Sequence, residues 1–165
     1  MVTEPHFQLT TGDHTTLQAI LERHNGPYDA FMSLLERKVR ESTIYFRDDI
    51  PSNVVTIGTR LVYVVDQTTR GPREIVAGEA EEGAGVLSIR TLHGLALLGL
   101  SVGSALRVPA ENGGVELVQV REILSQPEAQ ARAAGSVRKV VAFRPRSMAT
   151  PVAFDPDDDP GPSAA

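Results

Sequence analysis

Leu87-Ser88-Ile89-Arg90-Thr91-Leu92-His93-Gly94-Leu95-Ala96-Leu97-Leu98-Gly99-Leu100-Ser101-Val102-Gly103 is the stretch whose reading decides the fold. It starts as an apolar, strand-like segment, passes through a turn, makes one short helical turn and stops at Gly99. A second glycine-marked turn follows at Gly103. Gly99 stands directly after Ala96-Leu97-Leu98, where a helix takes a left-handed cap, and glycine adopts that conformation without a Cβ penalty. Leu95, Leu97 and Leu98 make this turn of helix too apolar to stand in water. It must plug something, and the β-prone segments on either side are what it plugs.

On the C-terminal side, Ala105-Leu106-Arg107-Val108 and Val115-Glu116-Leu117-Val118-Gln119-Val120 read as two strands around Asn112-Gly113-Gly114. Val118 and Val120 alternate with Leu117 and Gln119 as a half-buried strand requires. On the N-terminal side, Val86 to Arg90 is a strand, preceded by an acidic loop from Gly78 to Gly85 that carries Glu79, Glu81 and Glu82. Leu61-Val62-Tyr63-Val64-Val65 and Arg73-Glu74-Ile75-Val76-Ala77 form a hairpin around a polar turn, Gln67 to Pro72. Val54-Val55-Thr56-Ile57 and Thr43-Ile44-Tyr45-Phe46 are also β-prone, with Asp48-Asp49 breaking the chain between them.

Further upstream the period becomes helical. Asp13 is placed to cap a helix that buries Leu17, Ile20 and Leu21, an i, i+3, i+4 set. Asn25-Gly26-Pro27 ends it, with Gly26 as the left-handed stop and Pro27 opening the next helix. Tyr28, Phe31, Met32, Leu35 and Val39 then recur at helical spacing through Glu41. The expected architecture is α+β. A flexible arm (1–12) leads to a short antiparallel helical hairpin (13–41) and a domain of about five strands with one short helix (42–127). A Pro- and Asp-rich tail (128–165) is expected to be disordered, since five of the chain's 11 prolines lie beyond Gly135.

Composition narrows the function. At 165 residues, 41% hydrophobic and 22% charged, the chain suits one soluble domain with a small appendage. It has no cysteine, hence no thiolate nucleophile, thiolate metal site or disulfide. No apolar run reaches the roughly 18 residues of a membrane span, and the N-terminus lacks the pattern of a secretory signal, so a cytoplasmic protein is expected. The net charge of −5 and the scattered arginines disfavour sequence-specific nucleic-acid binding, which calls for a basic stripe. An acting surface should therefore meet protein.

Catalytic patterns are missing. No Gly-rich loop is followed by Lys-Ser or Lys-Thr, so there is no P-loop. His6, His14, His24 and His93 have no companion at i+3 or i+4, so no metal site is expected. His93, beside Gly94, has no Ser or Asp constellation and reads as a turn or packing residue rather than a general base. No cofactor and no enzymatic activity are expected.

The run Gly94-x-Ala96-Leu97-Leu98-Gly99-x-x-x-Gly103 resembles the signature of the C-terminal domain of Gre transcription factors. That signature is shared by the Rnk family, named as regulators of nucleoside diphosphate kinase. Ile50-Pro51-Ser52-Asn53-Val54-Val55-Thr56-Ile57-Gly58-Thr59-Arg60 resembles the Rnk segment that enters this domain, and Val118 to Glu128 resembles its closing strand and exit. The similarity spans roughly residues 13 to 128.

The resemblance implies an FKBP-like antiparallel sheet curled over a helix. It also implies docking at the secondary-channel rim of bacterial RNA polymerase, in competition with Gre factors. Gre factors carry a long coiled coil with acidic residues at its tip, which help hold a catalytic magnesium ion during transcript cleavage. Here the finger is short, and its tip, with Glu22, His24, Asn25 and Asp29, carries no acidic pair. The resemblance thus points to a monomeric, polymerase-binding regulator without cleavage activity. The alternative is a non-catalytic interaction module acting on a metabolic enzyme such as nucleoside diphosphate kinase. Thr91-Leu92 occupy positions where the family usually has Ser-Pro, implicated in docking, so the expected partner-binding set is Thr91, Leu92, His93, Gly94 and Leu95. A prolyl isomerase is disfavoured, because its aromatic-lined pocket is hard to furnish from five Phe and three Tyr, several already spent on the hairpin.

Overall fold

Residues 8–10, which fall within the expected flexible arm, form a strand. The computed structural model describes residues 4–81 and 84–135. Gln8–Thr10 form β1, paired in parallel with β2, Thr43–Tyr45. Phe7 and Leu9 are buried while His6 is exposed. This segment therefore carries the two-residue alternation of a strand, which its polar composition concealed.

Thr10, not Asp13, caps α1 (Thr11–Glu22): its Oγ1 accepts from Asp13 N at 3.0 Å. Asp13 sits in the first turn, and its buried carboxylate accepts from Ile57 N instead. The helix ends at Arg23 in right-handed conformation, so Gly26 is not a left-handed stop. Pro27 does not open the next helix either. That helix, α2 (Ala30–Glu41), starts from Asp29, whose side chain accepts from Met32 N at 3.0 Å. A short polar side chain that satisfies an orphan N–H outweighs the fixed φ of proline as a start signal here. His14 Nε2 lies 2.9 Å from Val39 O, tying the start of α1 to the end of α2, so the two helices are antiparallel. Leu17, Met32 and Leu35 are buried between them and the domain. Tyr28 leaves the expected stripe; it is exposed and its hydroxyl donates to Glu36.

Five strands make the main sheet: β3 (Arg60–Val65), β4 (Thr68–Val76), β5 (Val86–Ser88), β6 (Ala105–Pro109) and β7 (Val115–Ser125), in the order β5-β4-β3-β7-β6. Three of the pairings are antiparallel. The β4–β5 pairing is parallel, so the sheet is mixed rather than wholly antiparallel as expected. The β3–β4 turn is only Asp66-Gln67, with Asp66 at φ 55. Aspartate tolerates that left-handed position, and most of the expected Gln67 to Pro72 turn is therefore strand. Val54 to Ile57 is not a strand. Its backbone serves the glycine stretch instead: Gly99 N donates to Val55 O and Val55 N donates to Leu100 O, both at 2.9 Å.

The concave side of the sheet supplies Leu61, Tyr63, Val65, Ile75, Leu87, Leu106, Val108, Val118 and Val120 to the core, and α3 (Leu92–Leu97) plugs it with Leu95, Ala96, Leu97 and then Leu98. The domain does not stop at Gln126-Pro127. Gln126 is buried and donates its side-chain amide to Pro51 O and Val54 O, and Thr56 Oγ1 donates to Glu128. A helix starts at 127 and is described through 135. The chain divides into two units, Met1–Gln130 and Ala131–Ala165. In the second, residues 131–135 are helical; the rest of the tail, expected to be disordered, lies outside the described residues. Among the described residues no helix is long and apolar enough to cross a membrane.

Candidate functional site

The glycines of the organising stretch place α3. Gly94 packs against the β5 exit so closely that a Cβ would stand 1.9 Å from Ser88 O. The same carbonyl accepts from Thr91 Oγ1 at 2.6 Å, and Thr91 Oγ1 in turn accepts from Gly94 N at 3.1 Å. One hydroxyl thus caps α3 and ties it to β5, a use that serine or threonine supports equally. Gly99 is left-handed at φ 88, as expected, and takes Gln8 N on its carbonyl at 2.9 Å. It joins β1, the Val55 segment and α3 at one point. Gly103 is also left-handed, at φ 88, but in open space.

Sequence reasoning missed Lys38. It is fully buried, and its Nζ donates to Ala96 O at 2.9 Å and to Leu98 O. These carbonyls close α3, where no intrahelical donor remains. The hairpin therefore supplies the cap of the plug helix. The amine also lies 4.6 Å from the centre of the Phe7 ring, and burial pushes its pKa well below the usual lysine range. The signal was present, since Lys38 occupies the i+3 position after Leu35 on the apolar face of α2.

Of the expected partner-binding set, only the first three residues reach the surface. Thr91, Leu92 and His93 are partly exposed, while Gly94 and Leu95 are buried with Ala96, Leu97 and Leu98 and serve the core. This is a correction: a one-turn helix that plugs a sheet has only its N-terminal edge left to offer. His93 Nε2 is 2.7 Å from Glu116 Oε2 on β7, which holds the imidazole in place.

Beside this edge lies a cleft of about 870 Å³. His24, Asn25 and Asp29 of the hairpin tip line it, together with Arg23, Arg90 and Leu92. The fold thus brings the finger tip and the α3 edge around one space, although more than sixty residues separate them. Glu22 is exposed and does not line it. The tip carboxylate of Asp29 is committed to capping α2. Among the described residues, no group of three or more His, Cys, Asp or Glu side chains is gathered as a metal site.

A second buried polar knot lies where α1 meets the 54–59 loop. Burial raises the Asp13 carboxyl from 3.8 to about 6, assisted by the neighbouring Glu128 and opposed by the bond from Ile57 N. Thr56 and Thr59 close the knot, with their hydroxyls 2.9 Å apart.

No protein-family model matches the sequence, and no curated protein matches it. Solved structures do. The prokaryotic transcription elongation factor GreA/GreB from Nitrosomonas europaea superposes with a TM-score of 0.56 at 24% identity, covering 74% of this chain and all 100% of that one. The GreA factor homolog 1 protein of Thermus thermophilus aligns at 17% identity over 73% of this chain and 99% of that one, with a TM-score of 0.36. Its Thermus aquaticus counterpart aligns at 18% identity and a TM-score of 0.37, over the same 73% and 99%. The chain has the fold of the first of these, a Gre-type factor.

Proposed function

We propose that this protein is a transcription regulator that binds bacterial RNA polymerase at the rim of the secondary channel, in the manner of the Rnk branch of Gre-like proteins. It competes there with Gre-type factors and does not stimulate transcript cleavage. It acts as a cytoplasmic monomer without a cofactor and without specific contacts to nucleic acid. The Gre-type fold and the glycine signature around Gly94, Gly99 and Gly103 support the polymerase as partner. One observation carries the lack of cleavage. Each finger helix has 12 residues, about 18 Å of helix, and the one carboxylate in its inter-helix turn, Asp29, is spent on Met32 N. Holding a magnesium ion at the end of a channel takes reach and gathered free carboxylates; this finger is short, and its exposed Glu22 is not gathered with other acidic side chains into a metal site among the described residues. The domain topology supports an FKBP-like description of the sheet.

Thr91, Leu92 and His93 form the docking edge, with Leu92 offering an apolar contact in place of proline. Leu92→Asp is the test. The variant keeps its fold by circular dichroism but loses retention of core polymerase, and excess Gre factor displaces the wild type from polymerase. Retention that Gre cannot displace overturns the shared-site proposal and favours an interaction module directed at another enzyme. Clear stimulation of transcript cleavage overturns the account of the finger.

A further inference from the structure

One inward position of the sheet carries a carboxylate. Along β7, Val118 and Val120 belong to the core, and strand alternation puts Glu116 on their side. Its neighbour across β6 is Val108, which is buried in the same core. An aliphatic side chain would complete this row. Glu116 stands there instead, with Oε2 2.7 Å from Nε2 of His93, the second residue of α3. Side-chain exposures of 24% for His93 and 27% for Glu116 leave the pair neither sealed nor fully solvated.

This contact settles which ring nitrogen carries the proton. A carboxylate oxygen only accepts, so Nε2 donates and the neutral ring keeps its lone pair on Nδ1. Among the described residues Nδ1 has no hydrogen-bond partner. The sealed side-chain polar atoms that lack a partner there are the Tyr63 hydroxyl and Gln126 Oε1, so Nδ1 is open to solvent. A carboxylate behind an imidazole also makes the far nitrogen more basic. The Thr91 hydroxyl is spent on Ser88 O and Gly94 N, and Leu92 is apolar. His93 is therefore the residue of the edge with a side-chain hydrogen-bonding atom to spare. It lines one cavity of about 610 Å³ with Thr91 and Leu92, which gives a partner's side chain room to approach.

We infer that His93 Nδ1 accepts a hydrogen bond from an N–H or O–H donor on the polymerase segment that docks at this edge, and that Glu116 is the positioning residue that holds the ring for it. The inference rests on the docking proposal above, since His93 belongs to that edge. It adds the polar chemistry of the partner. An amide, hydroxyl or ammonium group faces the start of α3, and a carbonyl or carboxylate there would meet a lone pair. A tie that only pinned α3 to β7 would make Glu116 matter for stability and not for the ring's use in binding.

Two measurements on the full chain test it. In the first, affinity for core RNA polymerase is compared among wild type, Glu116→Gln, Glu116→Leu, His93→Asn, His93→Gln and the double variant Glu116→Leu/His93→Gln. The amide oxygen of Glu116→Gln still accepts from Nε2, so binding stays within about twofold of wild type, while Glu116→Leu weakens it by about fivefold. His93→Asn keeps an acceptor near the Nδ1 position and His93→Gln does not. The glutamine variant should therefore bind about fivefold more weakly than wild type, and the asparagine variant more tightly than the glutamine one. In the double variant Glu116→Leu adds no further loss, because Glu116 acts through the ring. A merely structural tie would cost the same factor in both backgrounds. In the second, long-range proton–nitrogen NMR of the free protein at alkaline pH, where imidazole is neutral, should find the His93 proton on Nε2. A proton on Nδ1, His93→Gln binding like wild type, or a Glu116→Leu loss that persists beside His93→Gln overturns the inference. If Leu92→Asp abolishes binding in the same assay, the docking edge stands without it. A wild type that polymerase does not retain removes the docking edge and this inference together.

Discussion

Three glycines of one motif should respond to alanine in a graded way, because three different physical demands hold them. At Gly94 the demand is space. An added Cβ would lie 1.9 Å from Ser88 O and 2.6 Å from Ser88 C, both backbone atoms. Ordinary contact begins near 3.4 Å, so α3 must back away from β5 by about 1.5 Å. That retreat breaks the Thr91 Oγ1 bond to Ser88 O and the cap on Gly94 N, each worth about 1 kcal/mol, and it unseats the wholly buried Leu95 and Leu97. With overpacking strain of about 1–3 kcal/mol, Gly94→Ala should cost roughly 3–5 kcal/mol. Gly103 makes only a conformational demand. Its φ is 88 with nothing near the Cβ, so alanine pays about 1–2 kcal/mol of left-handed strain, partly offset by a stiffer unfolded chain. Gly99 combines the same φ with Gln8 O at 3.1 Å and Leu9 Cδ2 at 3.2 Å and should fall between, at about 2–3 kcal/mol. Urea unfolding followed by far-UV circular dichroism measures all three. A Gly94→Ala variant within about 1 kcal/mol of wild type, or a Gly103→Ala variant as damaged as Gly94→Ala, would refute the reasoning.

Three further outcomes follow from the buried polar groups. Burial lifts the Asp13 carboxyl to about 6, so the folded chain takes up a proton before the unfolded chain does. Wild-type stability should therefore rise relative to Asp13→Asn as pH falls from 7 to about 4, by roughly 2–3 kcal/mol, and a flat difference in pH-dependent urea melts would contradict this. Lys38→Met removes the donor to Ala96 O and Leu98 O. It should cost about 2–4 kcal/mol near neutral pH, the loss of two buried carbonyl partners exceeding the relief of burying an amine. Because burial depresses the Lys38 pKa, the wild type should lose stability against this variant as pH is lowered from 10.5, which urea melts in alkaline buffers will read. Gln126→Leu abolishes the bonds to Pro51 O and Val54 O and should cost about 1–3 kcal/mol, with hydrogen exchange rising first in the 50–59 segment.

What could be read from the chain alone was what neighbours in sequence settle among themselves. The apolar run from Leu95 to Leu98 and its stop at Gly99 placed a plug helix, because helix caps and φ preferences act over four or five residues. The alternation of Val118 and Val120, and the helical spacing of Met32 and Leu35, marked elements for the same reason. Starts and stops were misplaced where two local signals competed, as with Thr10 against Asp13 and Asp29 against Pro27. Tertiary structure decided everything that depends on a partner far along the chain. Lys38 stands on the apolar face of α2 by its spacing from Leu35, but only the end of α3 brings the carbonyls that claim its donors. Val54 to Ile57 is as β-prone as any strand here, yet its hydrogen bonds go to Gly99 and Leu100 rather than to the sheet. Gly94 and Leu95, adjacent to the exposed edge in sequence, are sealed inside because a helix of one turn shows water only its first residues. Arg70 and Arg73 pair with Tyr63 and Leu61 only because the β3–β4 register slips by one residue between them, and register is a property of two strands together.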